Sequence, residues 1–82
     1  MIDGREFERR FHEALEDVLG WGLELGDDDG PQTVAAWDSL AQIRLVQELE
    51  TRFGVRLPDA VLLQPQSVGS LKRLVRDGTR EG

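Results

Sequence analysis

Three apolar stripes at helical spacing, punctuated by glycine and proline, constrain this chain more than any other feature. Phe7, Phe11, Leu15, Val18 and Leu19 recur three and four residues apart. So do Leu40, Ile43, Val46, Leu49 and Phe53, with Leu45 widening the stripe, and then Val68, Leu71, Leu74 and Val75. That spacing puts each set on one face of an α-helix, and no segment alternates as a half-buried strand would. The predicted fold is all-α: three longer helices, one short helix and a long first loop. Asp3 and Glu6 form a capping-box pattern at the start of the first helix, which Gly20 and Gly22 close. The second helix is predicted to begin at Asp38 or Ser39 and to end at Gly54. Val55, Leu57 and Pro58 make a connector, Asp59 caps a short helix over Ala60 to Leu63 that Pro65 terminates, and Ser67 caps the last helix.

Between Gly20 and Trp37 lies a loop rich in glycine and aspartate, broken further by Pro31. Loops this long are uncommon in small domains unless they are functional or mobile. Trp21, Leu23, Leu25 and Val34 are expected to pin it down, with Trp21 as a core plug and Trp37 as a packed anchor at its end. The 82 residues, 39% of them hydrophobic, allow one domain with one modest core. The core is expected over residues 5–76, with a frayed tail over 77–82.

Composition removes several function classes. With no cysteine there are no disulfides or thiolate metal sites. A net charge of −6 and the absence of a basic stripe oppose nucleic-acid binding, including by a helical DNA-binding domain. No stretch reads as a signal peptide or membrane span, so a cytoplasmic location is the default expectation. His12 is the only histidine and makes no metal site; it reads as a surface or boundary residue. Asp27-Asp28-Asp29-Gly30 lacks the alternating ligands and terminal glutamate of a calcium loop, and reads as solvated.

Chemistry concentrates at Trp37-Asp38-Ser39-Leu40, where the polar loop gives way to the second apolar stripe. A hydrolytic serine needs a base, an orienting group and an oxyanion hole, and the flanks of Ser39 do not spell a nucleophile elbow. Two readings remain. Ser39 and Gln42 fit the S-x-x-Q capping pattern. Alternatively, Ser39 presents a hydroxyl for covalent modification at the positive end of a helix dipole, where an attached phosphate is stabilised by about 0.3–1 kcal/mol.

From Val34 to Val75 the chain resembles the acyl carrier protein family. Asp38-Ser39-Leu40 matches the attachment motif of that family, and Ile43, Leu45, Val46, Leu49, Glu50 and Phe53 match its second helix. Pro58-Asp59, then Ser67-Val68 and Leu71, follow in its register, while Phe7, Phe11 and Leu15 fit its first helix. The resemblance implies a four-helix bundle of acyl-carrier type, discrete and monomeric, with no catalytic residue and no metal of its own. It implies that Ser39 receives a covalent 4′-phosphopantetheine arm from coenzyme A through a phosphopantetheinyl transferase, with Asp38 and Leu40 flanking the site. The arm then carries acyl or aminoacyl thioesters between acyl-loading and acyl-transfer enzymes.

The resemblance also implies docking along the second helix through Leu40, Ala41, Arg44, Glu48 and Asp59, and a possible acyl cleft lined by Leu45, Leu49, Leu62 and Val68. Here the chain departs from the pattern. Ala41 and Arg44 stand where carriers of fatty acid synthesis often have acidic residues, while Glu48, Glu50 and Asp59 keep some negative charge. Arg44 repels a basic partner surface, and repulsion of that kind selects partners. That favours a specialised polyketide or hybrid natural-product pathway over housekeeping fatty acid synthesis. The glycine-glycine-His-Ser signature of peptidyl carriers of nonribosomal peptide systems is absent, because Ala35-Ala36-Trp37-Asp38 precedes Ser39. The alternatives are such a peptidyl carrier, or an unloaded carrier-like scaffold.

Overall fold

The computed structural model describes residues 3–63 and 67–81, and the side chains of all of these except 62, 63 and 79–81. The regular structure among the described residues is all helical, with no strand. Three long helices, α1 (Gly4–Leu19), α2 (Ser39–Phe53) and α4 (Val68–Glu81), are joined by the single turn α3 (Ala60–Leu63). Pro65, expected to end that turn, lies outside the described residues.

Helix α1 forms where the stripe and caps place it. The Asp3 carboxylate accepts the Glu6 amide at 2.8 Å, satisfying one orphan donor of the first turn. Glu6 does not complete a capping box: its carboxylate is held by Arg9 at 2.6 Å and Arg10 at 2.8 Å. Phe7, Phe11, Ala14, Leu15 and Leu19 are buried, and Val18 packs at the margin. The Phe7 ring lies 5.2 Å from the Phe53 ring, locking the start of α1 to the end of α2.

Helix α2 packs against each of the other three helical elements and is the hub of the fold. It ends at Gly54, whose left-handed conformation (φ 64°) lets Gly54 and Val55 both return their amides to the Glu50 carbonyl. The turn drops Val55 and Leu57 into the core. The Glu50 carboxylate reinforces it by accepting the Leu57 amide at 2.8 Å.

At the C-terminus helix α4 runs past Gly78 to Glu81. Gly78 sits against Val55, and a Cβ at residue 78 would lie 3.0 Å from the valine Cβ. The glycine that reads as a stop signal is the position where α4 passes the α2–α3 connector.

Candidate functional site

The loop from Gly20 to Trp37 is a chain of turns, each closed by a short-range bond. Gly26 and Asp29 exchange two, the Gly26 amide reaching the Asp29 carboxylate at 2.8 Å and the Asp29 amide the Gly26 carbonyl at 3.1 Å. The Thr33 hydroxyl donates to Asp29 at 2.9 Å and accepts the Gly30 amide at 3.1 Å. The Gly30 carbonyl receives the Thr33 and Val34 amides, and the Val34 carbonyl the Trp37 amide, all at 3.0 Å. Of the aspartates of the acidic run, Asp29 is therefore the turn-builder.

Two of them dock the loop on α4. The Asp29 carbonyl accepts the Val68 amide at 2.8 Å and the Asp27 carbonyl the Gly69 amide at 2.9 Å, satisfying orphan donors of the first turn of α4. Within that turn Ser67 caps as expected, its hydroxyl accepting the Ser70 amide at 3.2 Å. Lys72, the chain's single lysine, completes the dock: its ammonium lies 2.9 Å from Asp27 and 2.6 Å from Glu8 on α1. Burial pulls the Lys72 pKa down, but the hydrogen bonds to Glu8 and Asp27 outweigh it and leave it raised. The Asp27 carboxyl is correspondingly held below its ordinary value, chiefly by the Lys72 hydrogen bond.

The tryptophans divide against expectation. Trp21 is no core plug: it is 75% exposed, and Leu23 is exposed beside it in sequence, while Val34 is buried and Leu25 partly so. Trp37 is the anchor, 2% exposed. Its indole Nε1–H donates to the Gln42 side-chain oxygen at 2.7 Å, and the Gln42 amide nitrogen donates to the Val61 carbonyl of α3 at 2.7 Å. Gln42 is thus a buried bridge, not part of an S-x-x-Q cap. No sequence signal beyond the Trp37–Gln42 spacing marks it.

The anchored loop delivers the chain to α2 in a defined register. Asp38 is the N-cap, its carboxylate accepting the Ala41 amide at 2.9 Å and its carbonyl the Gln42 amide at 2.9 Å. Because Asp38 does the capping, Ser39 occupies the first helical position with its side chain exposed. No residue within the first turn of α2 is acidic, and the carboxylate at the positive end of the helix dipole is that of the Asp38 cap beside Ser39. Leu40 and Ile43, read from sequence as core, are 65% and 40% exposed, and Ala41 and Gln42 are buried in their stead. The helix is rotated so that Gln42 faces Trp37.

That rotation sorts the other candidate residues. Arg44 and Asp59 are exposed, whereas Ala41 is buried, with 8% of its surface accessible. Glu48 pairs with Arg52 at 2.9 Å, and Arg52 is also bound to Asp17 of α1. Leu45, Leu49 and Val68 are wholly buried in one core cluster. The Leu62 side chain lies outside those described. His12 is half-buried, its ring 3.6 Å from Glu8.

The sequence matches the family defined by the phosphopantetheine attachment site over residues 9–75, well over half of the chain. This chain belongs to that family, the family of the acyl carrier proteins. No match was found among curated proteins or solved structures. The cofactor of such a carrier is 4′-phosphopantetheine, covalently attached. The first turn of α2 suits that group, offering an exposed serine at the N-terminal end of the helix, in a turn with no acidic side chain of its own. Carriers of this family are generally non-catalytic and interact with phosphopantetheinyl transferases and pathway enzymes. Among the described residues no helix is long and apolar enough to cross a membrane.

Proposed function

We propose that this protein is a discrete acyl carrier protein that holds acyl or aminoacyl thioester intermediates on an arm joined to Ser39. The observation that carries the proposal is the division of labour at the start of α2, where Asp38 makes the cap and leaves the serine hydroxyl exposed. The bound arm supplies a thiol of pKa about 8.5, a far better leaving group than an alkoxide, so its cargo stays activated. The chain's part is to present Ser39, to stabilise the phosphodiester at the helix N-terminus and to raise the local concentration of cargo at each docked enzyme. By analogy with the family, Asp38 is the residue assigned to help the transferase hold its metal.

Docking is assigned to Leu40, Arg44 and Asp59, with Glu48 at the margin because Arg52 already pairs with it. The exposed Leu40 and Ile43 supply an apolar centre beside Ser39, and Arg44 turns away partners with basic surfaces. On this basis the carrier serves a specialised polyketide or hybrid natural-product pathway in the cytoplasm, as a monomer. The turn α3 is the short helix of a four-helix carrier bundle, and Leu45, Leu49, Leu62 and Val68 are the residues that would part to admit an acyl chain.

The test is functional replacement by Ser39→Ala in the producing pathway. The substitution leaves the cap intact, so a folded variant that yields no product supports a loaded carrier. Normal product from that variant would leave a scaffold as the better reading.

A further inference from the structure

Among the described residues, Gln42 is the one buried side chain whose two polar ends join different elements beside Ser39. It lies one helical turn beyond Asp38, is 5% exposed, and accepts from Trp37 while donating to α3. Neither bond is incidental. A buried indole N–H and a buried carbonyl are each costly to leave unpaired. A primary amide, without carrying charge, offers an acceptor to the one and a donor to the other from separate atoms. Trp37 is the last loop residue before Asp38-Ser39, so fixing its ring fixes the direction in which the chain enters the cap. Val61 belongs to α3, so the same amide ties the entry angle to the position of that turn.

We propose that Gln42 is a positioning residue for modification at Ser39, acting through Trp37 and coupling the attachment segment to α3. The inference rests on Ser39 being the acceptor. Ser39 sits two residues from the anchored ring, and small misplacements of a reacting group cost up to about a hundredfold in rate. Loss of the Gln42 bridge frees the indole to tilt and the entry turn to sample other orientations, while the Asp38 cap still starts the helix.

The experiment measures kcat/KM for phosphopantetheine transfer from coenzyme A by a broad-specificity transferase, followed by intact mass. The substrates are the wild-type protein, Gln42→Met, Trp37→Phe and the double variant. Methionine matches glutamine in length and keeps neither bond. About a tenfold loss is expected for Gln42→Met in the wild-type background, and little further loss when it is added to Trp37→Phe, since residues acting through one contact are non-additive. The Trp37 indole N–H resonance should shift and exchange faster in Gln42→Met.

Should Gln42→Met fail to fold, Trp37→Phe probes the same bond from the other end and should show a similar loss. Wild-type kcat/KM in either folded variant would overturn the proposal, as would losses that simply multiply in the double variant. An unmodified wild-type protein would instead remove the Ser39 reading, which separates the two failures.

Discussion

At the scale of single residues, the site depends on which side chain caps α2. Asp38 and Ser39 are both good caps in sequence, and the backbone decides: Asp38 is extended (φ −92°, ψ −173°) and Ser39 is already helical. Asp38→Ala should therefore destabilise the protein by about 0.5–2 kcal/mol, whereas Ser39→Ala should change stability by less than about 0.5 kcal/mol. Urea unfolding of the two variants distinguishes the roles, and equal losses would mean that the cap is shared. The motif was legible in the sequence because its residues are adjacent. The role of Gln42 was not, because an S-x-x-Q spelling fits a cap as well as it fits a bridge to a buried indole.

At the scale of elements, the helices follow their apolar periodicity and glycine stops, but the rotation of α2 does not. A count of apolar residues turns Leu40 and Ile43 inward; the structure turns Ala41 and Gln42 inward because Trp37 lies on that side. The loop shows the same limit, since its two tryptophans look equivalent in sequence and sit at opposite extremes of exposure. Trp37→Ala should cost about 3–5 kcal/mol, and Trp21→Ser should stay within about 0.5 kcal/mol of wild type by thermal or urea melts. The dock of the loop on α4 was also illegible, its Lys72–Asp27 bond joining residues 45 apart. Gly69 permits that approach, because a Cβ there would stand 3.2 Å from the Asp27 carbonyl oxygen. Gly69→Val should lower stability by about 1–3 kcal/mol and speed hydrogen exchange at the Val68 amide. Unchanged exchange would contradict the dock.

At the scale of the whole molecule, ion pairs link α1 to α2 and to α4, and α4 to the loop, around one small core. Their pH dependence follows from the direction of each shift. Asp27 is lowered by Lys72, and Glu6 by Arg10 and Arg9, from unfolded values of about 3.9 and 4.3. The unfolded chain binds more protons between those values and the folded ones. The contribution of these carboxylates is therefore present above about pH 4 and is lost as pH falls through their folded pKa values. Lys72 is raised, so its contribution is full below about pH 10.4 and is lost as pH rises through its folded pKa. Urea midpoints should hold from about pH 5 to 10 as far as these groups decide, and decline on the acid side, less steeply in Asp27→Asn. A flat profile down to pH 3 would contradict these pairs. At the C-terminus Gly78 spells a stop in sequence, and α4 runs past it to Glu81, the glycine fitting beneath Val55.

The central claim is that Ser39 carries the arm, and intact-protein mass spectrometry tests it most directly. Wild-type protein and Ser39→Ala are incubated with coenzyme A, magnesium and a broad-specificity phosphopantetheinyl transferase, or with the transferase of the carrier's own pathway. The account predicts a gain of one phosphopantetheine on the wild type and none on the variant. A folded wild-type protein that gains nothing from either transferase, or a Ser39→Ala variant that is still modified, would contradict it.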